Sequence, residues 1–226
     1  MLNDMSGKIN TAIIVAAGSG SRLASETPKQ FLKLKAVEIL EYSVRSFLAH
    51  PNINEVIIVT SGDYLDHVIQ QYPKCQVVLG GETRQASVFN GLKACNTDTD
   101  IVLIHDAARP LIPSTVIDSC LSRLDTYDGV APAIVPVDSM IQIEDSGFRN
   151  LQRDSLRIIQ TPQCFHIGTL KAAHASGKVD TDEMGLVKQS DPHARLGFIK
   201  GAPETMKITR PIDLEIIEKY LDAADK

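Results

Sequence analysis

Short apolar runs alternate with longer amphipathic segments along most of this chain. The runs are rich in valine and isoleucine and are bounded by polar or glycine-containing stretches, a pattern typical of strands buried on both faces of a sheet. The sequence therefore predicts strands at Ala12–Val15, Glu55–Thr60, Gln76–Leu79, Ile101–Ile104 and Gly129–Val137. Proline residues interrupt the last of these, which predicts that it lies near a sheet edge or a bend.

Between the strands, apolar side chains recur at helical spacing. Helices are predicted at residues 37–49, from Arg84 onward, at 114–124, around 168–176, after a cap within residues 180–183, and at 211–224. Strands that alternate with helices imply right-handed crossovers and a mainly parallel sheet, so the chain is predicted to be an α/β protein. Residues 195–199 are predicted as a further strand, and residues 207–209 as an edge segment.

Residues 138–160 do not follow this pattern. They alternate loosely between apolar and polar positions around a turn at Gly147, which predicts a β-hairpin arm that leaves the main body. Because an isolated hairpin is poorly stable, we expect the arm to pair with a second copy, giving a homodimer with exchanged arms. The chain shows no internal repeat or linker, so residues 1–226 are predicted to form a single domain with 138–160 as its dimerisation arm.

Composition narrows the classes of protein that remain. A chain of 226 residues suits one substantial α/β domain, and a net charge of −5 argues against a nucleic-acid partner. The four cysteines and six histidines are dispersed, without metal-ligand spacing. The polar first residues lack the apolar segment of a signal peptide, and no apolar run reaches membrane-spanning length. We therefore expect a cytoplasmic protein without a membrane partner.

The segment from Thr11 to Phe31 carries the clearest chemistry. After the first strand, small residues at 16–21 allow a tight turn with free backbone N–H groups, and Arg22 and Lys29 follow. This combination is typical of a polyphosphate site. The loop lacks the third glycine of a dinucleotide fingerprint and the Gly-Lys-Ser/Thr of a Walker A loop. The alternative is an ordinary strand-to-helix turn whose Arg22 and Lys29 are solvated.

Two other loops are expected on the same rim. In parallel sheets, ligands bind beyond the carboxyl ends of the strands, which places residues 18–22, 80–87 and 105–109 together. Asp106 follows a buried strand, where a carboxylate is costly unless a metal or cation meets it, although a helix cap is the simpler alternative. His105 is expected to be structural.

Seven motifs occur in order along the chain: AAGSGSRL, PKQF, GGETRQASV, IHDAARP, QTPQCF, DTDE and MKITRPIDL. Through them the chain resembles the 2-C-methyl-D-erythritol 4-phosphate cytidylyltransferases of the non-mevalonate isoprenoid pathway. The resemblance implies a three-layer, Rossmann-like nucleotidyltransferase fold with a mainly parallel sheet and a protruding β-arm. It also implies transfer of CMP from CTP to 2-C-methyl-D-erythritol 4-phosphate, giving CDP-methylerythritol and pyrophosphate, with Mg²⁺ or another divalent cation as cofactor.

The resemblance assigns roles residue by residue. The implied catalytic residues are Arg22, Lys29 and Lys207, and the implied metal ligand is Asp106. The implied CTP contacts are Ala16, Ala17, Gly18, Gly81, Glu82 and Ser87. The implied contacts to the polyol phosphate are Arg109, Arg153, Thr181 and Ser139, with Arg153 and Thr181 presented across the dimer.

Some of these residues have simpler alternatives. Arg109 could pair with a local carboxylate, Arg153 could belong to a solvated face, and Thr181 could cap the helix that follows it. The family's PVxDT segment is one residue short here, at Pro136–Ser139, which puts the role of Ser139 in question. Lys35-Ala36-Val37 replaces the family's GKP, and we interpret this as a structural change only.

Two other functions compete with this assignment. Ribitol-5-phosphate cytidylyltransferases share the fold and most motifs, but Ala107-Ala108 and the spacing from Arg153 to Leu156 favour the erythritol enzyme. A non-catalytic nucleotide-binding regulatory protein is disfavoured, because a binder does not require two lysines at a reaction centre.

The implied reaction makes a specific demand on the side chains. A phosphate monoester has a second pKa near ~6, so the attacking phosphate is mostly ionised at neutral pH and requires no general base. The reaction instead needs positive charge that brings two anions together and stabilises the leaving group. Lys29 and Lys207 are predicted to supply it at the α-phosphate.

Overall fold

The computed structural model describes residues 7–18 and 27–224. Its strands are β1 Asn10–Ala16, β2 Lys33–Leu34, β3 Val37–Glu38, β4 Glu55–Thr60, β5 Gln76–Leu79, β6 Ile101–Asp106, β7 Gly129–Ile134, β8 Ile141–Glu144, β9 Gly147–Asn150, β10 Ile158–Ile159, β11 Gln163–His166 and β12 Leu196–Lys200. Its α-helices are α1 Ile39–Leu48, α2 Leu65–Gln71, α3 Arg84–Ala94, α4 Ser114–Arg123, α5 Ile167–Ala175, α6 Glu183–Ser190 and α7 Pro211–Ala224. Among the described residues, no helix is both long and apolar enough to cross a membrane.

Eight of these strands form one mixed sheet. Strands β5, β4, β1 and β6 lie side by side and are parallel, while β11 runs antiparallel between β6 and β7. The short β10 also pairs antiparallel with β7, and β12 pairs with β7 in parallel. The predicted α/β fold with a mainly parallel sheet is confirmed.

Alternation along β1 explains why helices cover both faces of the sheet. Ala12, Ile14 and Ala16 point into one apolar cluster, which contains buried residues of α1, α2 and α4. Ile13 points into the other cluster, which contains buried residues of α3, α5 and α6. The predicted three-layer arrangement follows from these two buried faces.

The proline-containing strand lies one strand in from the sheet edge, near the position predicted for it. Strand β7 is interior: β12 pairs along one of its sides, and β11 and β10 pair one after the other along the opposite side. Pro132 is tolerated because it lies where β11 ends and β10 has not begun, and its carbonyl oxygen still accepts a hydrogen bond from Gln160 at 2.8 Å. The sequence pattern gave no sign that two short strands would share this neighbour.

Smaller differences from the prediction lie near the ends of elements. The first helix begins at Ile39, because Val37 and Glu38 form β3. Lys35 and Ala36 form the two-residue turn between β2 and β3, with φ of 47° and 66°. The departure from the family's GKP therefore lies in a tight turn. The Lys207–Thr209 segment, predicted as an edge strand, has no strand structure.

The predicted hairpin arm is present. Strands β8 and β9 pair from Ile141 with Asn150 to Glu144 with Gly147, and Gly147 closes the turn with a φ of 144°. The hairpin forms a sheet of its own, and every residue of both strands is exposed. The exchange of arms between two copies, and the division into one domain plus an arm, stay predictions.

Candidate active site

A cavity of about 480 Å³ opens at the carboxyl ends of the parallel strands. Three loops line it: the one after β1, the one between β5 and α3, and the one after β6. The fold thus brings together most of the residues that the sequence placed at the nucleotide and the metal. These are Ala16, Ala17, Gly18, Lys29, Gly81, Glu82, Ser87, Asp106 and Lys207. The predicted catalytic residue Arg22 lies outside the described residues.

The carboxylate of Asp106 is the electrostatic centre of this cavity. Arg84 Nε lies 3.1 Å from its Oδ1, and Lys207 Nζ lies 2.7 Å from its Oδ2. Arg109 Nε is further away, at 3.9 Å from Oδ2. The side chain of Asp106 is only 11% exposed, so these cations meet the charge that burial would otherwise make costly. Such a cationic partner was one of the two, a metal or a cation, that the sequence predicted for Asp106.

The same cations set the protonation state of Asp106. Burial alone would raise its pKa, but the charges of Arg84 and Lys207 and the hydrogen bond from Lys207 lower it well below the ordinary range of an aspartate. Asp106 is therefore a carboxylate at any pH at which the protein works. It can accept hydrogen bonds or bind a cation, but it does not act as an acid.

Both candidate catalytic lysines meet at the segment that follows β12. Lys29 Nζ donates to the carbonyl oxygen of Ile208 at 2.9 Å, and Ile208 N donates to the carbonyl oxygen of Ala108 at 2.8 Å. Lys207, one residue before, reaches Asp106 as described. Residues far apart in sequence are thereby fixed around the loop after β6, with both ammonium groups at the cavity.

Close contacts explain the small residues of the first two loops. A Cβ at Gly80 would collide with the side chain of Ala17, and one at Gly81 would collide with the side chain of Ala86. The hydroxyl of Ser87 accepts from Gly81 N at 3.1 Å and donates to the carbonyl oxygen of Thr83 at 2.9 Å. Glycine at 80 and 81 therefore allows the loop between β5 and α3 to pack closely against Ala17 and α3 at the edge of the cavity.

Gln30 holds the start of the glycine loop. Its Nε2 donates to the carbonyl oxygens of Ala16 at 2.6 Å and Gly18 at 2.9 Å, and the side chain is buried. The amide thus satisfies the carbonyl groups of two residues at and just after the end of β1. The sequence analysis quoted Gln30 within PKQF but gave it no role.

His105 is structural, as expected. Thr161 Oγ1 lies 2.9 Å from its Nδ1, and its Nε2 lies 3.0 Å from the carbonyl oxygen of Arg109. Thr161 Oγ1 also accepts a hydrogen bond from Asp106 N at 3.2 Å. Burial lowers the pKa of His105 to about 3, so the ring is neutral and serves to hold the loop after β6 in shape.

The four residues predicted to contact the polyol phosphate do not line this cavity. Arg109 is nearby, with Nε 3.9 Å from Asp106 Oδ2 and Nη1 donating to the carbonyl oxygen of Thr205 at 2.9 Å. Ser139 and Arg153 are exposed at the base of the arm, and Arg153 Nη1 donates to the carbonyl oxygen of Val137 at 3.0 Å. Thr181 is exposed and donates to Asp180; the cap of α6 is Asp182, not Thr181.

Two charged residues of this region were missed by the sequence analysis. Arg84 was interpreted as the start of a helix, and Glu183 as part of a helix cap. Arg84 instead bridges Asp106 and Glu183, with Nη1 at 2.9 and 2.8 Å from the two oxygens of Glu183. The one available signal was that each lies within a motif, GGETRQASV or DTDE, that carries other predicted site residues.

The carboxylates at the cavity could contribute to a divalent-cation site. Asp106 and Glu82 line the cavity, and no group of three or more His, Cys, Asp or Glu side chains that could hold a metal is found in residues 7–18 and 27–224. Mg²⁺ is commonly bound by one or two carboxylates, with phosphate oxygens and water completing its shell. Asp106 can supply such a carboxylate if one of its cations gives way.

Lysine and arginine side chains gathered around a carboxylate, beyond the ends of parallel strands, suit the transfer of a nucleotide. Comparison with known proteins agrees: the chain is a nucleotidyltransferase. The family model of 2-C-methyl-D-erythritol 4-phosphate cytidylyltransferase matches residues 10–223, and the chain belongs to that family.

Individual relatives point in the same direction. A 2-C-methyl-D-erythritol 4-phosphate cytidylyltransferase of Clostridium botulinum (strain Loch Maree / Type A3) is 37% identical over 94% of this chain and 97% of its own length. The crystal structure of 4-diphosphocytidyl-2C-methyl-D-erythritol synthase from Anaerococcus prevotii DSM 20548 superposes with a TM-score of 0.86 at 26% identity, covering 96% of this chain and 98% of that one.

A third relative has a different named activity. The bifunctional ribulose 5-phosphate reductase/CDP-ribitol pyrophosphorylase of Haemophilus influenzae is 32% identical over 95% of this chain, which spans 48% of that protein. The predicted enzyme class and family are confirmed, and the ribitol alternative considered from the sequence has a counterpart among the relatives.

Proposed function

We propose that this chain transfers CMP from CTP to 2-C-methyl-D-erythritol 4-phosphate and releases pyrophosphate. The observation that carries the proposal is the convergence of Lys29, Lys207 and Asp106 with two glycine-bearing loops on one cavity, in a member of this family. A volume of about 480 Å³ lies within the range of small-molecule sites in proteins.

The nucleotide is held by the loops that line the cavity. In the proposal, the backbone of residues 16–18 faces the triphosphate, and Gly81, Glu82 and Ser87 face the base and ribose. The cavity is also lined by Lys29, Arg84 and Lys207, so its cations outnumber its two carboxylates, Glu82 and Asp106. A polyanion therefore meets a locally positive site in a chain whose net charge is −5.

The lysines act on the charge that develops during transfer. A phosphate oxygen of the acceptor attacks the α-phosphorus, and the bond to the bridging oxygen of pyrophosphate breaks. Lys207, which is 33% exposed and already at the cavity, can move from Asp106 to the α-phosphate when the nucleotide binds. Lys29, held at Ile208, lies beside it. Preorganised positive charge of this kind lowers the barrier without a proton transfer.

A divalent cation is part of the proposal. Asp106 would hold Mg²⁺, which would supply positive charge to stabilise the phosphates during transfer. Because Lys207 and Arg84 occupy the oxygens of Asp106 in the structure, a divalent cation would compete with Lys207 for this carboxylate, and the phosphates of the nucleotide would compete with Asp106 for Lys207. The release of Lys207 would then deliver its ammonium group to the reacting phosphate.

The acceptor half of the site is proposed to need two copies of the chain. Arg109 lies near the cavity and Thr181 lies on the main body just before α6, whereas Arg153 and Ser139 belong to the arm. The arm exposes apolar side chains that a second copy would cover, including Ile143 at 74% and Phe148 at 64% exposure. We propose a homodimer in which exchanged arms present Arg153 to the polyol phosphate.

A cytoplasmic location remains part of the proposal. The four cysteines are free thiols, three of them buried, which suits a reducing compartment.

Ribitol 5-phosphate is the second candidate acceptor. The relative from Haemophilus influenzae, whose name includes CDP-ribitol pyrophosphorylase, matches 95% of this chain. Both acceptors are polyol phosphates, so the same nucleotide site would serve either one.

Pyrophosphate release tests the proposal directly. The protein is incubated with CTP and Mg²⁺ together with 2-C-methyl-D-erythritol 4-phosphate or ribitol 5-phosphate, and the nucleotide product is identified by mass spectrometry. We expect release with the erythritol compound and a CDP-linked product. Release with ribitol 5-phosphate alone would establish the second candidate, and release with neither would overturn both.

A further inference from the structure

Glu183 is a buried carboxylate to which neither the sequence nor the proposed reaction gives a task. Its side chain is 1% exposed, and Arg84 is the cation within 4 Å of it in the described part of the chain. We propose that Glu183, held by Gln163, is a positioning residue that fixes Arg84 against Asp106. The proposal rests on the function proposed above and adds residues to its machinery.

The contact geometry defines what Glu183 does to Arg84. Nη1 of Arg84 donates to both oxygens of Glu183, at 2.9 and 2.8 Å, which leaves Nε directed at Asp106 at 3.1 Å. Free guanidinium groups prefer a two-nitrogen contact with one carboxylate. Glu183 therefore prevents Arg84 from turning fully onto Asp106, and it limits the approach to Asp106 to a single hydrogen bond.

The backbone of Glu183 is held by the neutral side chain of Gln163. The amide oxygen of Gln163 accepts from Glu183 N at 3.0 Å and from Met184 N at 3.1 Å. These are N–H groups of the first turn of α6, which have no partner within the helix. Gln163 lies in β11 and is buried, so it anchors the start of α6 to the central sheet.

The chain of contacts runs from the sheet to the reaction centre. It begins at Gln163, passes through Glu183 and Arg84, and ends at Asp106, whose other oxygen holds Lys207. Burial raises the pKa of Glu183 and the charge of Arg84 opposes that rise, so the pairing keeps the anion in place. Without the Glu183 charge, Arg84 is free to take both oxygens of Asp106 and displace Lys207 from its position.

The arrangement also connects the two halves of the site. Thr181, which the family resemblance assigns to the polyol phosphate, lies two residues before Glu183 and immediately before the α6 cap Asp182. A polyol phosphate bound at Thr181 would therefore contact the segment directly before α6, and the first turn of α6 carries Glu183, which positions Arg84. Turnover, more than CTP affinity, should therefore depend on Glu183.

A double-mutant cycle tests the proposal in the full-length protein. Glu183→Gln is expected to lower kcat with CTP and the polyol phosphate by about tenfold or more, while KM for CTP changes by less than about threefold. Arg84→Gln is expected to lower kcat at least as much. Because Glu183 acts through Arg84, adding Glu183→Gln to Arg84→Gln should change kcat by less than about twofold.

Controls separate positioning from loss of fold. Glu41→Gln removes an acid that pairs with Arg45 on the surface of α1, and it should leave kcat unchanged. Circular dichroism and thermal melting report the folded fraction, and rates are expressed per folded enzyme. If Glu183→Gln does not fold, Glu183→Asp replaces it in the same cycle, because it keeps the charge but withdraws it from Arg84.

The outcomes are distinguishable. An inactive wild-type protein would overturn the proposed function without involving Glu183. An active wild type with a Glu183 variant of unchanged kcat would overturn the inference alone. Equal losses in the Arg84 and Arg84→Gln backgrounds would also overturn it, since Glu183 would then act independently of Arg84. If Glu183→Gln lowers kcat in the wild type but not in the Arg84→Gln background, the result supports the inference.

Discussion

The wall of the cavity and the hairpin arm show opposite ways of placing charge. Around Asp106 the charged groups are buried or half-buried and paired across long sequence distances, as with Lys207, 101 residues away. In the arm, Arg149 pairs with Glu144 at 3.2 Å, five residues away, and both side chains are about half exposed. Exposed pairs of this kind contribute about 0–1 kcal/mol, whereas breaking a buried pair costs about 3–5 kcal/mol.

Apolar side chains repeat this contrast. The strand ends beneath the cavity stand on two apolar clusters, with Ile14 and Ile104 fully buried. The arm has no cluster of its own among the described residues, and Ile143 and Phe148 face solvent. One chain therefore suffices to shape the nucleotide half of the site. The proposed acceptor half uses residues of the arm, which a second copy of the chain would cover in the proposed dimer.

Lys207→Ala tests the cavity side of the comparison and should have the largest effect. Removal of an ammonium group that stabilises the developing charge is expected to lower kcat by about 10² to 10³-fold, as for the loss of a strong electrostatic contact in other enzymes. KM for CTP should change by less than about fivefold, since the loops still hold the nucleotide. Steady-state pyrophosphate release measures both.

Lys29→Ala should behave similarly, because both ammonium groups lie at the same cavity. Lys200→Ala is the matched control, since Lys200 is exposed at the end of β12 and does not line the cavity. Near-full turnover by either cavity variant would show that its lysine is not catalytic. The difference between the charges at the cavity and those of the arm would then have no consequence for turnover.

Ile143→Asp combined with Phe148→Asp tests the arm. Carboxylates at two exposed apolar positions should prevent a second copy from covering the arm, and we expect a monomer by sedimentation with turnover reduced by about tenfold or more. The melting temperature of the main body should change little, because neither side chain belongs to its core. CTP binding should also be retained.

Ile69→Asp provides the control for this pair, since Ile69 is 48% exposed on α2, away from the arm. A double variant that stays dimeric, or a monomer with full turnover, would show that the acceptor half does not depend on exchanged arms. The contrast between the two regions would then be one of exposure only.

The sequence predicted most of what depends on local pattern. The continuous apolar run at Ala12–Val15 predicted β1, and the rule for parallel strand ends predicted that the loops at Gly18, Gly81 and Asp106 lie together. Each of these predictions needs the chemistry of a few neighbouring residues and a general property of sheets.

The sequence could not predict contacts that depend on how distant segments pack. Arg84 and Glu183 are 99 residues apart, and nothing in either local pattern distinguishes a buried pair from two exposed helix-start residues. Pro132 indicated a strand near the sheet edge, but its sequence context did not show that β11 would end and β10 begin beside it, because that break lies in the neighbouring strands. The sequence predicted the hairpin of the arm correctly, and the pairing of the arm with a second copy stays a prediction.

Gln30→Ala gives a smaller test of how the cavity is shaped. The change leaves the carbonyl groups of Ala16 and Gly18 without the amide that now satisfies them, so the loop should relax. We expect KM for CTP to rise about tenfold while kcat falls by less than about threefold. Isothermal titration with CTP checks the affinity. Gln71→Ala, at the exposed end of α2, is the control.

If Gln30→Ala lowered kcat and left KM for CTP unchanged, Gln30 would act on the reacting groups and not on nucleotide binding. No change in either constant would mean that the loop keeps its shape without Gln30. The shape of the cavity would then not depend on this buried contact, in contrast to what we infer for the wall of the cavity.

The two arginines of the arm give the smallest and most selective test. Arg149 is engaged by Glu144 and Gln142 within the hairpin, whereas Arg153 donates to the carbonyl oxygen of Val137 at the base of the arm. If a partner's arm brings Arg153 to the acceptor phosphate, Arg153→Ala should raise KM for the polyol phosphate by about fivefold, as expected for an exposed charge contact. KM for CTP should be unchanged. Arg149→Ala should change both constants by less than about twofold, because its pairs are exposed and local. Equal effects of the two substitutions would indicate a general contribution of positive charge, since only a specific contact distinguishes residues four positions apart on the same arm.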